Sequence, residues 1–223
     1  MKLKYQFSIA FFVSLVSLIG FSSMAFLVSS HEIIQFDQTV VSFIQGLESP
    51  MLTAIMTFFT FIGSTSSIVV LSLLTLFFLY NVFKHRSELI LFMIVLLGSN
   101  VLFLSLKQFF HRARPDFHRL IEVGGYSFPS GHATNAITLY GLLAYLLWRH
   151  IPAKWGRTFL ILLSITMIMM IGTSRIYLGV HYPTDIISGY LVGGFWLAIA
   201  IWFYQRRQKQ KNSSQSDGGS IGI

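Results

Sequence analysis

The sequence predicts an all-α membrane protein, a bundle of six transmembrane helices, and three observations predict it. Only 11% of residues are charged while 54% are hydrophobic, and mean hydropathy is +0.67, where soluble domains carry about a quarter charged residues. The apolar residues fall in long runs, near the roughly 20 helical residues that cross a bilayer core of about 30 Å. The sixteen Lys and Arg sort by the loop they occupy and form no single patch.

The first run, about Phe7–Val28, follows Lys2 and Lys4. These cations, with Ser23-Met24-Ala25, also fit a cleavable signal peptide. The run exceeds the roughly 7–15 apolar residues of such a leader, so it is read as a retained helix. The second run, Met51–Phe83, is longer than one crossing needs and is interrupted at Ile62-Gly63-Ser64-Thr65-Ser66-Ser67. A short surface-lying or buried piece should therefore precede the crossing helix. Leu89–Leu106, Ala133–Trp148, Thr158–Gly172 and Ile186–Tyr204 supply the other four helices. The result is one membrane domain over 1–204, followed by a polar, Ser- and Gly-rich tail, 205–223, that reads as disordered. Cysteine is absent, which excludes disulfides and thiolate metal sites.

Orientation follows from the preference of Lys and Arg for cytoplasmic loops. With six spans, one set of loops holds Lys2, Lys4, Lys84, Arg86, Arg149, Lys154, Arg157, Arg206, Arg207, Lys209 and Lys211; the other holds Lys107, Arg112, Arg114, Arg119 and Arg175. Both termini are expected in the cytoplasm. The net charge of +8 is thus a signal of topology and requires no nucleic-acid partner.

The outer cations need their own explanation, because they lie in segments that also carry His, Ser, Gly and Asp. Lys107-Gln-Phe-Phe-His-Arg-Ala-Arg114-Pro115 closes the third helix, and Pro129-Ser130-Gly131-His132 opens the fourth. Ser174-Arg175-Ile-Tyr-Leu-Gly-Val-His181-Tyr-Pro-Thr-Asp185 joins the fifth to the sixth. Topology brings all three to one membrane face. In that order they resemble the three motifs of the type 2 phosphatidic acid phosphatase family, K-x6-R-P, P-S-G-H and S-R-x5-H-x3-D, with every defining position present. The resemblance runs from the second helix through the sixth. It implies a six-helix membrane enzyme with an extracytoplasmic site that hydrolyses a lipid phosphomonoester or diphosphate. Its substrates would be phosphatidylglycerol phosphate or phosphatidic acid, with undecaprenyl diphosphate as the alternative.

The residues support the same chemistry. Phosphoryl transfer spreads charge over three equatorial oxygens, so catalysis is mainly positioning and fixed positive charge. Lys107 and Arg114, seven apart, share a helical face if the helix runs that far, and Pro115 should end it. With Arg175 they make a phosphate clamp. Ser130 is a natural N-cap, and Ser130 and Gly131 read as phosphate ligands at a helix N-terminus. His181 is assigned as the nucleophile that forms a phosphohistidine and Asp185 as its orienting carboxylate; His132 is the acid and then the base for water. The resemblance implies the same roles. One histidine starting neutral and one protonated predicts a bell-shaped pH profile.

Other residues have plainer readings. His31, His85 and His150 read as solvated or capping groups, Arg112 and Arg119 as headgroup-seeking side chains, and Asp116 and Glu122 as loop charges. His111 and His118 lie near the site in sequence without an assigned role. Two histidines and an aspartate would also suit zinc, but three nearby cations oppose a divalent ion, so no metal and no cofactor is expected. A transporter would place ionisable groups near mid-membrane on broken helices, whereas these lie at one edge. A non-catalytic lipid-phosphate binder and a lipid phosphoryl transferase on the same scaffold remain as alternatives.

Overall fold

The computed structural model of the chain describes residues 2–83, 86–116 and 118–218. The described residues form helices and no strand. In order these are α1 (Lys2–Ser29), α2 (Ile34–Gln45), α3 (Pro50–Ile62), α4 (Thr65–Phe78), α5 (Arg86–Phe110), α6 (Gly131–Leu147), α7 (Lys154–Tyr177) and α8 (Pro183–Gly218). One wider turn, Leu79–Phe83, continues α4.

Among the described residues, four helices are long and apolar enough to cross a membrane: Ile9–Ser29 of α1, Ser87–Phe110 of α5, α7, and Pro183–Lys211 of α8. The second apolar run is a helix pair bent by 53°, which makes a fifth if the pair counts as one broken span and none if it is a re-entrant loop. Its break has a local cause. Gly63 closes α3, and the Ser64 hydroxyl then accepts from Ser67 N at 3.3 Å, so the chain starts a second helix in a new direction. α6 is 17 residues long, about 25 Å of helix, and is shorter than these. Large apolar side chains such as Phe12, Phe61, Leu104 and Phe159 stay exposed on the bundle surface, where lipid rather than water is the natural neighbour.

α5, α6 and α8 share the main apolar core, with Phe92, Val95, Leu139 and Leu142 at its centre. Small residues let two of these backbones approach. A Cβ on Gly189 would lie 2.6 Å from the Ser130 carbonyl oxygen, and one on Gly193 would lie 2.9 Å from that of Thr134. The starts of α6 and α8 therefore meet directly, and Ser130 N donates to Asp185 O at 3.0 Å.

Three features differ from the sequence expectation. α2 has no counterpart in it; this short helix turns Asp37 and Val41 inward and leaves Ile34, Phe36 and Phe43 exposed. α7 continues through Arg175 to Tyr177, so Arg175 sits in a last helical turn and not in a loop. Where composition reads disorder from residue 205, α8 continues as helix to Gly218; residues 219–223 lie outside the described residues.

Candidate active site

The end of α5, the starts of α6 and α8 and the end of α7 converge, as the three motifs require. α5 stops at Phe110, short of Pro115. His111 takes the left-handed conformation at φ 48°, which a non-glycine residue adopts rarely and which turns the chain out of the helix. Arg114 therefore does not share a helical face with Lys107 as expected; the loop carries it instead. Its guanidinium is pinned by carbonyls, with Nε donating to Gly125 O at 3.0 Å, Nη2 to Gly124 O at 3.2 Å and Nη1 to Val180 O at 2.8 Å. That leaves Nη1 3.1 Å from His181 Nε2.

His181 is 1% exposed, and Asp185, one helical turn on, is fully buried. Pro183 opens α8 between them, which its fixed φ and missing N–H suit. His181 Nδ1 is 3.2 Å from Asp185 Oδ2 and 3.3 Å from Ser127 Oγ. The same Oδ2 accepts from Tyr182 N at 2.9 Å and from the Ser127 hydroxyl in a short bond. Arginine can only donate, so Nε2 must be the acceptor nitrogen and the proton belongs on Nδ1, facing Asp185. Burial, opposed by Asp185, lowers the His181 pKa to about 3, so the ring is neutral at ordinary pH with its Nε2 lone pair directed at the Arg114 cation.

The remaining cations surround this pair. Arg175, on the last turn of α7, is 3% exposed; its Nη1 donates in a short bond to Thr60 Oγ1, and its buried Nε has no hydrogen-bond partner among the described residues. Lys107 Nζ donates to Tyr126 O at 2.6 Å and feels the charges of Arg114, Asp185 and Arg175. Arg114 has its pKa lowered mainly by burial, yet a guanidinium remains charged.

His132 lies on the first turn of α6, within electrostatic reach of Arg175 and His181 and close to the backbone of Thr60. Thr60 thus holds Arg175 from the end of α3. Gly63 makes room, since a Cβ there would lie 3.2 Å from His132 Cδ2 and 2.5 Å from Ile171 Cγ2. Ser130 caps α6 as expected, its buried hydroxyl accepting from Ala133 N at 3.4 Å. Gly131 is needed for packing as well as for access, because a Cβ would meet the Phe103 ring at 2.9 Å.

The eight residues expected from sequence come together, along with several that were not expected. Ser127 and Thr60 carry no motif signal. Arg112, read as seeking lipid headgroups, instead points inward and joins Asp185 to Asp37 of α2 at 2.7 Å each. Arg119 also folds back, donating to Pro115 O in a short bond and to Arg114 O at 3.5 Å. His118 pairs with Glu48 at 2.7 Å on the exposed rim, and the His111 ring packs edge-on against Tyr126.

The PAP2 superfamily profile matches residues 67–209, a stretch that carries all three motifs. The chain belongs to the PAP2 superfamily. It is 32% identical over 152 residues to phosphatidylglycerophosphatase B of Bacillus subtilis, covering 66% of this chain and 72% of that one. A lipid A 4'-phosphatase of Porphyromonas gingivalis is 31% identical over 177 residues, covering 72% and 70%. The crystal structure of a transmembrane PAP2 type phosphatidylglycerolphosphate phosphatase from Bacillus subtilis superposes with a TM-score of 0.78 at 26% identity, over 86% of this chain and 96% of that one. As a PAP2 member with helices of spanning length, the chain is a membrane phosphoric ester hydrolase.

Proposed function

We propose that this PAP2 member removes phosphate from phosphatidylglycerol phosphate or phosphatidic acid, by way of a phosphohistidine on His181. The site would lie at the extracytoplasmic end of six spans: the four long helices, the bent α3–α4 pair, and α6 as the sixth. The observation that carries the reading is the placement of His181 between Asp185 at Nδ1 and Arg114 at Nε2, from which the tautomer follows. With Nδ1–H fixed toward Asp185, Nε2 keeps the lone pair and faces the cation that would bind a phosphate oxygen.

The steps follow from this placement. A phosphate oxygen entering beside Arg114 takes over its Nη1 donor and frees the lone pair. Arg175, through its unpartnered Nε, and Lys107 hold the other equatorial oxygens, and the N-terminus of α6 at Ser130 and Gly131 adds backbone donors. Nε2 attacks phosphorus while the lipid oxygen leaves with a proton from His132. His132 then removes a proton from water, which attacks the phosphohistidine and releases inorganic phosphate and free His181. Asp185 stabilises the imidazolium character that His181 gains during attack.

No step uses a metal. Both carboxylates near His181 are engaged, Asp185 by Arg112, Ser127 and His181, and Asp37 by Arg112 and Thr184. The surrounding cations oppose a divalent ion.

The test is phosphate release by the detergent-purified protein in excess chelator, from phosphatidylglycerol phosphate, phosphatidic acid and undecaprenyl diphosphate, beside His181→Ala. The reading expects release from the first two and a base-stable, acid-labile phosphoenzyme in the wild type alone. Preference for undecaprenyl diphosphate would transfer the reading to cell-wall carrier recycling; activity in His181→Ala, or loss reversed by metal, would reject the mechanism.

A further inference from the structure

The Asp185 carboxylate is held unequally. Oδ2 takes Ser127, Tyr182 N and His181, while Oδ1 accepts from Arg112 Nη1 at 2.7 Å. The guanidinium is itself held at both terminal nitrogens and over one face. Nη1 also donates to Thr184 Oγ1 at 2.8 Å, Nη2 donates to Asp37 Oδ2 at 2.7 Å, and one face lies 4.3 Å from the centre of the Tyr182 ring. Asp37 is fully buried and closes the circuit on α8, with Oδ1 accepting from Thr184 N at 3.0 Å and Oδ2 from Thr184 Oγ1 at 2.7 Å. Two buried carboxylates therefore share one arginine, whose planar fork spans both in a way a point-charged lysine cannot. Arg112 occupies an unspecified position inside the first motif, and Asp37 lies outside the stretch that matches the PAP2 profile.

We infer that Arg112 and Asp37 are positioning residues for the reaction: Arg112 fixes the rotation of the Asp185 carboxylate so that Oδ2 faces His181 Nδ1, and Asp37 fixes Arg112. The short helix α2 thereby becomes part of the active-site frame. Three of the five N–H groups of Arg112 are committed to Asp185, Thr184 and Asp37, so its contacts serve the carboxylates. Its removal should lower the rate of attack by His181 and leave lipid binding by Lys107, Arg114 and Arg175 in place. This inference rests on the reading of His181 and Asp185 as nucleophile and orienting group.

Removal of Arg112 alone leaves two unpaired buried carboxylates and threatens the fold, so the informative variant is Arg112→Gln with Asp37→Asn. The double variant should regain most of the thermal midpoint lost by Arg112→Gln. Its kcat on the best lipid substrate should nevertheless stay about 10- to 100-fold below wild type, the usual cost of losing a partner that orients a reacting group, with KM changed little. Arg112→Lys should keep the charge and still show reduced kcat. A double variant with wild-type kcat, a loss confined to KM, or full activity in Arg112→Lys would overturn the inference. His181→Ala in the same assay separates the two ideas: loss there beside a wild-type-like double variant sinks the positioning role alone, whereas activity there sinks the reading of His181 and this role together.

Discussion

A histidine attacks phosphorus only when its proton sits on the nitrogen turned away, and at His181 two neighbours settle that. Arg114 can only donate to Nε2, and Asp185 accepts from Nδ1. Asp185→Asn offers an amide where the carboxylate was and favours the wrong tautomer, so kcat should fall about 10⁴-fold with the protein still folded; a fall of only a few-fold would show that Asp185 does not orient the ring. The pKa of His181 adds a second prediction. An unfolded imidazole titrates near 6.5, whereas burial holds the folded ring near 3. Between those values the unfolded chain binds a proton that the folded chain does not. The stability tied to His181 is therefore complete above about pH 6.5 and declines as pH falls toward 3. Thermal unfolding in detergent at pH 7 and pH 4 should show a smaller acid loss in His181→Gln than in wild type. The same depression revises the bell-shaped profile: the acid limb of kcat/KM should not show a midpoint near 6.5 arising from the nucleophile, and one there that persists in His132 variants would contradict the neutral ring. The motif residues were legible because each carries its chemistry in its type and spacing. Arg112 was not, since its role depends on Asp37, 75 positions earlier, and an outer-loop arginine looks the same in sequence whether it faces lipid or a buried carboxylate.

Elements place these residues through their ends, and the elbow between α3 and α4 shows how. Sequence revealed the break at Gly63 and Ser64 but not that Thr60, just before it, anchors Arg175. Thr60→Val keeps the shape and removes the hydroxyl that Arg175 donates to. It should cost roughly the 1–3 kcal/mol of a buried donor left unpaired, and activity should fall because Arg175 loses its anchor. If thermal midpoint and turnover both stay at the wild-type level, the elbow does not position the clamp. Packing further along α7 is equally exacting. A Cβ at Gly172 would lie 1.9 Å from the Tyr190 hydroxyl, which donates to Ile168 O at 2.6 Å. Gly172→Ala should therefore destabilise by about 1–3 kcal/mol through overpacking, measured as a lowered unfolding midpoint in detergent. α2 escaped the sequence reading because its 12 residues are too few and too mixed to register as a span. Its inward Asp37 and Val41, one turn apart, were the available signal.

At the scale of the whole molecule, the long apolar runs disclosed the bundle, and the order of the motifs disclosed that their residues meet at one end. Charge counting went further and assigned that end to the outside. The structure bears on the geometry of this claim: the loop around Glu122 lies at the same end as His181, while Lys154 begins α7 at the opposite end. The chain contains no cysteine, so a single introduced thiol reports its own location without a background. Glu122 and Lys154 are both exposed, and neither is part of the candidate site. In intact cells, Glu122→Cys should react with a membrane-impermeant maleimide and Lys154→Cys should react only after permeabilisation. The opposite pattern would place the site on the cytoplasmic side, and equal protection of both would mean that α6 does not cross and that the six-span arrangement is wrong. The outcome also bears on substrate access. An outward site can act only on lipid phosphates that reach the outer leaflet, so if the predicted pattern holds, hydrolysis of phosphatidylglycerol phosphate in sealed vesicles with outward-facing enzyme should stop once the outer-leaflet pool is consumed, and should resume when the bilayer is opened with detergent.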